Sequence, residues 1–440
     1  MLFERPEAGH QAVILNVELR NQANPELDEF VELARSAELE VVDVVGARRD
    51  QPHPATFVGS GKVEELRGTV KAVHGDLVLI NHELTAGQQR TLERALDCRV
   101  ITRTELILTI FAARARSHEG QLQVELAQLK HAQTRLVRGW THLDRQKGGI
   151  GMRGAGEKQI ELDQRMLSAR IKSTQSKLEQ VGKRRRLSRR GRSRKGTPTV
   201  VLVGYTNAGK STLFNRLTAA DVYAQDQLFA TLDPTARKLA VPGLSGVVLA
   251  DTVGFVAQLP HALVEAFKAT LEEVAAADLL LHVVDASDPL AEERQQQVRE
   301  VLAEIGAGEV PELTVLNKID LLSEQDCATL ALQSDGTSPL PGCSAQVPVS
   351  AHTGAGIEAL TAAIGERLGV VAPHAAIIEP ADGKTRAWLY RAGAVLDEEQ
   401  LEDGRLQLTL QANQALLDQI EKTPSVVLRT MSPLPKILHS

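Results

Sequence analysis

The stretch 200-VVLVGYTNAGKSTLFNRL-217 decides the fold of the domain that it lies in. Its apolar start predicts a buried strand, and its end predicts an amphipathic helix. A loop between such elements, with backbone N–H groups aimed at one anion, is the context that a phosphate-binding loop requires. Lys210 is expected to reach the β- and γ-phosphates, and Ser211 to coordinate Mg²⁺. The predicted loop consists of Gly204, Tyr205, Thr206, Asn207, Ala208, Gly209, Lys210 and Ser211.

A second motif follows another apolar run, 247–250, and consists of Asp251, Thr252, Val253 and Gly254. A carboxylate at a strand end can hold Mg²⁺ through water, and the Gly254 N–H can meet a γ-phosphate. The motif therefore predicts a second phosphate-side contact and adds a carboxylate to the metal environment of Ser211.

The third motif identifies the base. The run 313–316 is followed by Asn317, Lys318, Ile319 and Asp320. The Asp320 carboxylate can accept the ring N–H and the exocyclic amine of guanine, whereas adenine offers neither at that edge. Ser350, Ala351 and His352 resemble the last guanine-contacting loop of such proteins. Four motifs in this order predict a doubly wound P-loop domain that converts GTP to GDP and phosphate.

The segment 228–235 between the first two motifs is the predicted switch. A threonine hydroxyl here can bind Mg²⁺ only while the γ-phosphate is present, so the loop orders with GTP. The residue pattern leaves Thr231 and Thr235 open as that ligand, and a plain surface turn is the alternative. The predicted nucleotide contacts are Phe229, Ala230, Thr231, Leu232 and Asp233.

No catalytic side chain is predicted. Phe255 stands where many small GTPases place a glutamine that orients the attacking water, so unaided hydrolysis should be slow. A partner, or K⁺ bound near the phosphates, could supply the missing help. Asn207 is a candidate K⁺ ligand; the alternative is an asparagine that satisfies its own loop backbone.

Length and composition limit the class of protein to which the chain can belong. A chain of 440 residues should hold two to four domains. Cys98, Cys327 and Cys343 have no metal-ligand or redox spacing, which is typical of reduced thiols. Neither a signal-peptide pattern nor an apolar run of membrane-spanning length is found. We expect a soluble cytoplasmic monomer without membrane insertion.

The net charge of −6 conceals a basic run, 183-KRRRLSRRGRSRK-195. A polyanion such as nucleic acid is one expected partner, and a solvated helix end with a linker is the alternative. Aromatic residues make up 3% of the chain, which disfavours base stacking and favours phosphate contact.

Residues 1–114 predict a mostly parallel α/β domain. Gly59-Ser60-Gly61-Lys62 lacks Walker A spacing and is better explained as a turn that opens a helix. The predicted strands are 12–19, 39–45, 77–81 and 99–102, and the predicted helices are 25–37, 63–74, 86–96 and 105–114.

Residues 115–195 predict an antiparallel helical hairpin with a basic linker. Leucines recur at 122, 126, 129 and 136, and a matching apolar seam runs from 160 to 181. The connection at 147–157 is longer and richer in glycine than a structural turn needs, which favours a partner-contacting loop over an idle connector. The candidate contact residues are Gly148, Gly149, Gly151, Arg153, Gly154 and Gly156.

The remaining boundaries are a GTPase domain at 196–370 and a small C-terminal α/β domain at 371–440. In the latter, 377–378, 385–390 and 405–411 are predicted strands and 414–421 a helix.

The chain resembles the HflX family of ribosome-associated GTPases, within the Obg–HflX group. The resemblance rests on GYTNAGKS, FATLDPT, DTVGF and NKID, and on 83-ELTAGQQRTLERAL-96, 118-HEGQLQVELAQLKH-131 and 138-RGWTHLDRQKGGIGMRGAGEKQIELDQR-165. It implies Thr231 as the switch ligand of Mg²⁺ beside Ser211. It further implies binding to the large ribosomal subunit and its rRNA, a glycine-rich loop near the peptidyl-transferase centre, and splitting of stalled ribosomes under stress.

Two departures affect the hairpin loop. The family loop usually reads GPGETQLE, whereas this chain has Ala155 in place of the proline and Lys158 in place of the threonine. We expect these changes to alter the affinity of the loop and not its role. Two other functions stay open: a GTPase for subunit maturation or RNA modification, and a regulatory switch with a protein effector.

Overall fold

The structure is a computed structural model. It describes residues 10–20, 26–139, 155–193, 197–218, 229, 235–242, 244, 246–255, 271, 273–323, 346–370, 374–379, 382–401, 403–412, 414–423 and 426–430. The chain forms two compact units, and the second unit contains most of the residues after 185. Among the described residues, no helix is both long and apolar enough to pass through a membrane.

The first unit begins with a four-stranded parallel sheet in the order β2-β1-β3-β4. Its core consists of apolar side chains from the strands and helices, among them Val13, Leu15, Leu66 and Leu92. The elements are β1 Gln11–Leu19, α1 Leu27–Ser36, β2 Glu40–Arg49, α2 Ser60–Ala72, β3 Leu77–Ile80, α3 Ala86–Leu96, β4 Arg99–Thr102 and α4 Arg103–Arg114.

The local chemistry sets several of these boundaries. Thr85 and Thr102 each accept a hydrogen bond from the N–H three residues later, forming capping boxes with Gln88 and Glu105 that start α3 and α4. Gly59 precedes α2, so the GSGK stretch opens a helix.

Two long helices follow, α5 His118–Gly139 and α6 Ala155–Ser193. Leucines of α5 pack against α6 in one apolar cluster, and an ion pair joins Arg170 to Glu125 at 2.7 Å. The α6 helix starts earlier than expected, so Gly156 lies in its first turn and not in the connecting loop. The cluster contains Leu122, Leu126, Leu129, Leu167, Ile171 and Leu178.

The second unit contains a six-stranded sheet in the order β10-β9-β8-β5-β7-β6, parallel except for β6. The central strand β8 has its first six residues buried, as expected for a strand covered on both faces. The elements are β5 Thr199–Gly204, α7 Lys210–Thr218, β6 Thr235–Leu239, β7 Val247–Asp251, β8 Leu279–Asp285, α8 Ala291–Glu304, β9 Glu312–Asn317, β10 Gln346–Pro348 and α9 Ile357–Arg367.

The C-terminal sheet is antiparallel, in the order β12-β13-β11-β14, with a β-α-β-β-α-β element order. Its elements are β11 His374–Ile378, α10 Gly383–Arg391, β12 Val395–Gln400, β13 Leu406–Leu410, α11 Gln414–Glu421 and β14 Val426–Thr430.

One secondary-structure expectation here is wrong, because 385–390 is helical. The Asp382 side chain caps α10 by accepting the Thr385 N–H, and Leu389 is fully buried. Arg386 and Tyr390, one helical turn apart, both hydrogen-bond to Glu398 of β12. These tertiary contacts outweigh the strand preference of the aromatic residues.

Candidate nucleotide-binding site

The loop between β5 and α7 has glycines where a side chain would not fit. Gly204 has φ +148°, and a Cβ there would lie 2.2 Å from the Val283 carbonyl oxygen. Gly209 has φ +87°, and a Cβ there would lie 2.2 Å from Asn317 Nδ2. The loop therefore packs against β8 and the base-specificity motif with no room for side chains at these positions.

Lys210 is the buried cation of this loop. Its side chain is 6% exposed, and Nζ donates a hydrogen bond to the Tyr205 carbonyl oxygen at 2.6 Å. Burial lowers the pKa of Lys210 to about 8, while the nearby Asp251 carboxylate raises it. A phosphate group placed here would stabilise the charged ammonium form.

Ser211, one of the two predicted Mg²⁺ ligands, lies next to Asp251, the carboxylate expected to hold the metal through water. Ser211 Oγ donates a hydrogen bond to Asp251 Oδ2 at 2.9 Å, and Asp251 is fully buried. Hydroxyl and carboxylate oxygens are the ligands that Mg²⁺ prefers, so this pair fits the metal. Thr252 Oγ1 donates to the Leu202 carbonyl oxygen at 2.6 Å, and Val253 is half-buried. The Thr252 side chain thus ties this motif to β5.

Gly254 lies over the phosphate loop. A Cβ at this position would lie 2.7 Å from Thr206 Cγ2 and 3.0 Å from Lys210 Nζ. The backbone of Gly254 is therefore close to the lysine that is expected to bind the β- and γ-phosphates. Phe255 is 4% exposed, so its ring is buried and has no polar group that could orient water.

Asn317 links three parts of the site. Its Nδ2 donates to the Ala208 carbonyl oxygen of the phosphate loop at 2.8 Å, and its Oδ1 accepts the Ala351 N–H at 2.9 Å. Ser350 is fully buried, and its Oγ accepts the Thr353 N–H at 3.0 Å. The predicted phosphate-side and base-side motifs are thus joined by one amide.

The base-side carboxylate is accessible. Asp320 is exposed, in a short 3-10 turn from Ile319 to Leu321, and Ile319 is half-buried. Lys318 has φ +66°, and its Nζ forms an ion pair with Asp285 at 2.7 Å. His352 is exposed. An exposed carboxylate beside the Asn317 turn has the placement that recognition of a guanine edge requires.

Comparison with known proteins identifies the family. Four family models match in succession: "GTP-binding GTPase N-terminal" at 24–112, "GTP-binding GTPase Middle Region" at 114–192, "50S ribosome-binding GTPase" at 199–318 and "HflX C-terminal domain" at 341–427. The GTPase HflX of Escherichia coli (strain K12) is 52% identical over 92% of this chain and 94% of that protein. The chain belongs to the HflX family.

One further relative agrees with this assignment. The GTPase HflX of Magnetococcus marinus is 45% identical, over 91% of this chain and 92% of that protein. Among solved structures, the chain is similar to the GDP complex of SsGBP, with 25% sequence identity and a TM-score of 0.48, over 81% of this chain and 98% of that one. As an HflX-family protein with a GTPase domain, the chain hydrolyses GTP.

Some predicted residues of this HflX-family chain lie outside the described residues: Ala230, Thr231, Leu232, Asp233, Gly148, Gly149, Gly151, Arg153 and Gly154. Phe229 is described, and it is buried in the first unit, where its ring packs edge-on against Phe111 at 4.6 Å between centroids. Asn207 is exposed with φ +61°, a backbone conformation that asparagine tolerates.

Three contributors were not predicted from the sequence. Arg216 of α7 donates hydrogen bonds to the carbonyl oxygens of Ala351 and His352. Asp285 pairs with Lys318, and Arg294 of α8 lies over the Tyr205 ring. The run 279–284 is apolar except for His282 and is followed by Asp285. This is nearly the pattern that indicated Asp251, so Asp285 could have been recognised from the sequence.

Proposed function

We propose that this GTPase binds the large ribosomal subunit in its GTP state and promotes the dissociation of stalled or stressed ribosomes, with hydrolysis driving its release. The observation that carries the proposal is the hairpin of α5 and α6, two long helices with their own apolar seam. This hairpin carries the glycine-rich cationic segment 140–154 between its helices in an HflX-family GTPase.

The family models also support ribosome binding. The model that matches 199–318 is described as a 50S ribosome-binding GTPase. The basic run 183–195 begins inside α6, where Lys183 and Arg184 are exposed. In this proposal the run contacts rRNA phosphates, which supply affinity without reading sequence, and the segment 140–154 inserts into the subunit.

The proposed nucleotide steps use the residues of this site. Lys210 and the Gly254 N–H would contact the γ-phosphate, Ser211 and Thr231 would hold Mg²⁺, and Asp251 would hold it through water. Bound Mg²⁺ would neutralise charge on the phosphates. When the γ-phosphate is lost, Thr231 and Gly254 would lose the contacts that hold them in place. The switch would then relax, and the protein would leave the subunit.

Hydrolysis needs help from outside the chain in this account. Phe255 is buried and apolar, so turnover by the free protein is expected to be well below about one per second and to rise with ribosomal particles. K⁺ bound at Asn207 would add positive charge near the phosphates. Exchanging K⁺ for Na⁺ tests this part alone, because equal rates would reject the K⁺ site and leave the rest intact.

Sedimentation with purified ribosomes tests the function. With a non-hydrolysable GTP analogue, the protein should co-sediment with mature large subunits and reduce the fraction of joined ribosomes; with GDP it should do neither. Binding restricted to precursor particles would favour a role in subunit maturation or RNA modification. Absence of binding to either particle would favour a switch with a protein effector.

A further inference from the structure

The phosphate-loop residue Tyr205 carries an arginine on its ring. The Arg294 guanidinium lies 4.9 Å from the ring centroid, and the tyrosine is 7% exposed. Arg294 also forms an ion pair with Asp288, in the turn that precedes α8. That turn is fixed in its own right, because Asp288 Oδ1 accepts the Leu290 N–H at 3.0 Å. A partly desolvated cation over an aromatic ring is a favourable contact.

The backbone of Tyr205 is paired with the DTVGF motif. Tyr205 and Phe255 form a parallel β-bridge. In this bridge the Thr206 N–H donates to the Phe255 carbonyl oxygen at 2.7 Å, and the Phe255 N–H donates to the Gly204 carbonyl oxygen at 3.2 Å. The pairing fixes Phe255 and therefore its neighbour Gly254, whose backbone lies close to Lys210.

A chain of contacts thus runs from α8 to the position expected for the γ-phosphate. Asp288 orients Arg294, Arg294 holds the Tyr205 ring, and the backbone of the residues on either side of Tyr205 holds Phe255. GTP needs the Gly254 N–H in place, whereas GDP has no γ-phosphate to meet it. A residue that acts through this series of contacts should therefore change the affinity for GTP more than the affinity for GDP.

We propose that Arg294 is a positioning residue for the γ-phosphate: by holding Tyr205 it keeps the Gly254 N–H beside Lys210 and so contributes to the preference for GTP over GDP. It contacts no part of the nucleotide in this role. Helix α8 thereby becomes a structural support of the GTP state, and the Asp288 ion pair sets the position of the guanidinium.

The test compares the affinities of the full-length Arg294→Ala variant for GDP and for a non-hydrolysable GTP analogue. Analogue binding should weaken roughly five- to thirtyfold, and GDP binding should stay within about twofold. The turnover number of GTP should fall as well. Arg294→Lys restores a cation and should recover part of the loss. Asp288→Asn removes the ion pair and should shift the ratio of affinities in the same direction, by less.

Arg299→Ala is the matched control. Arg299 lies on the same helix and pairs with Glu312 at 3.1 Å, away from the phosphate loop. Its removal should leave the ratio of the two affinities at the wild-type value. Equal weakening of GDP and GTP-analogue binding in Arg294→Ala would mean that the arginine supports the loop in general, and wild-type affinities for both nucleotides would mean that it has no role; either result overturns the proposal. If Arg294→Ala does not fold, Arg294→Lys and Asp288→Asn decide by the same ratio.

Discussion

Asn317→Ala should separate the phosphate-side and base-side motifs. The side chain is 2% exposed and makes two hydrogen bonds, to the Ala208 carbonyl oxygen at 2.8 Å and from the Ala351 N–H at 2.9 Å. A buried polar group that loses its partner costs about 1–3 kcal/mol. Two groups lose their partner here, the Ala208 carbonyl oxygen and the Ala351 N–H, so the contact between the motifs should weaken by about 2–6 kcal/mol.

In nucleotide binding, this cost corresponds to a loss of roughly 30- to 20,000-fold in GDP affinity, because the nucleotide must reassemble loops that have separated. Calorimetric titration with GDP measures the affinity, and hydrogen exchange at the Ala351 amide reports directly on the lost bond. Asn81→Ala is the control: Asn81 is fully buried and donates to the Glu26 carbonyl oxygen, far in sequence from the nucleotide motifs. The proposed role of Asn317 in joining the two motifs would be refuted by an Asn317→Ala variant with GDP affinity within roughly threefold of the wild type and unchanged hydrogen exchange at Ala351.

Three further predictions concern other parts of the molecule. Asp320→Asn should reduce GTP affinity sharply and favour a xanthine nucleotide, because an amide can donate to the carbonyl that replaces the exocyclic amine; retained GTP preference in competition binding would show that the base contact is wrongly assigned. Burial alone would raise the pKa of Glu312, but hydrogen bonds and charges from His282 and Arg299 lower it to about 2. The stability from this cluster should therefore be complete above about pH 4.5 and disappear as the pH falls towards 2, and Glu312→Gln should flatten acid unfolding over that interval; an unchanged acid transition would contradict this. Neutralising four arginines of 183–195 should lower the log–log salt slope of ribosome binding by up to roughly 3–4 while GTP affinity stays constant, and an unchanged slope would restore the interpretation as a solvated linker.

The fold was readable from the sequence wherever one local pattern decided it. Apolar runs before the motif residues located β5, β7 and β9, and in the first domain every strand start lies within one residue of the structure. The pattern failed at 385–390, where the contacts that stabilise the helix come from residues outside this segment. Asp382 caps the helix from just before it, and Glu398 lies on the following strand. It also failed to reveal β12 and β14, whose pairing with other strands defines them more than their composition does.

The motif residues of the candidate site could be predicted because each has a distinct chemistry at fixed spacing. The arginine residues that hold these motifs in place could not be predicted, because each acts through contacts between segments that are distant in sequence. Arg216 reaches the loop at 351–352, more than 130 residues away in sequence. Arg294 meets Tyr205 across almost 90 residues, and nothing in the local sequence of α8 distinguishes it from Arg299.

The most direct test of the central claim is light scattering of purified ribosomes mixed with the full-length protein and GTP. The comparison is with a variant in which 148–154 is shortened to a minimal turn, leaving the seam of α5 and α6 and every residue of the nucleotide site unchanged. The wild type should lower the scattering as subunits separate. The shortened protein should bind GTP normally and retain some affinity for the large subunit, but should not separate the subunits. Wild-type dissociation rates in the shortened protein would contradict the claim that this segment drives ribosome splitting.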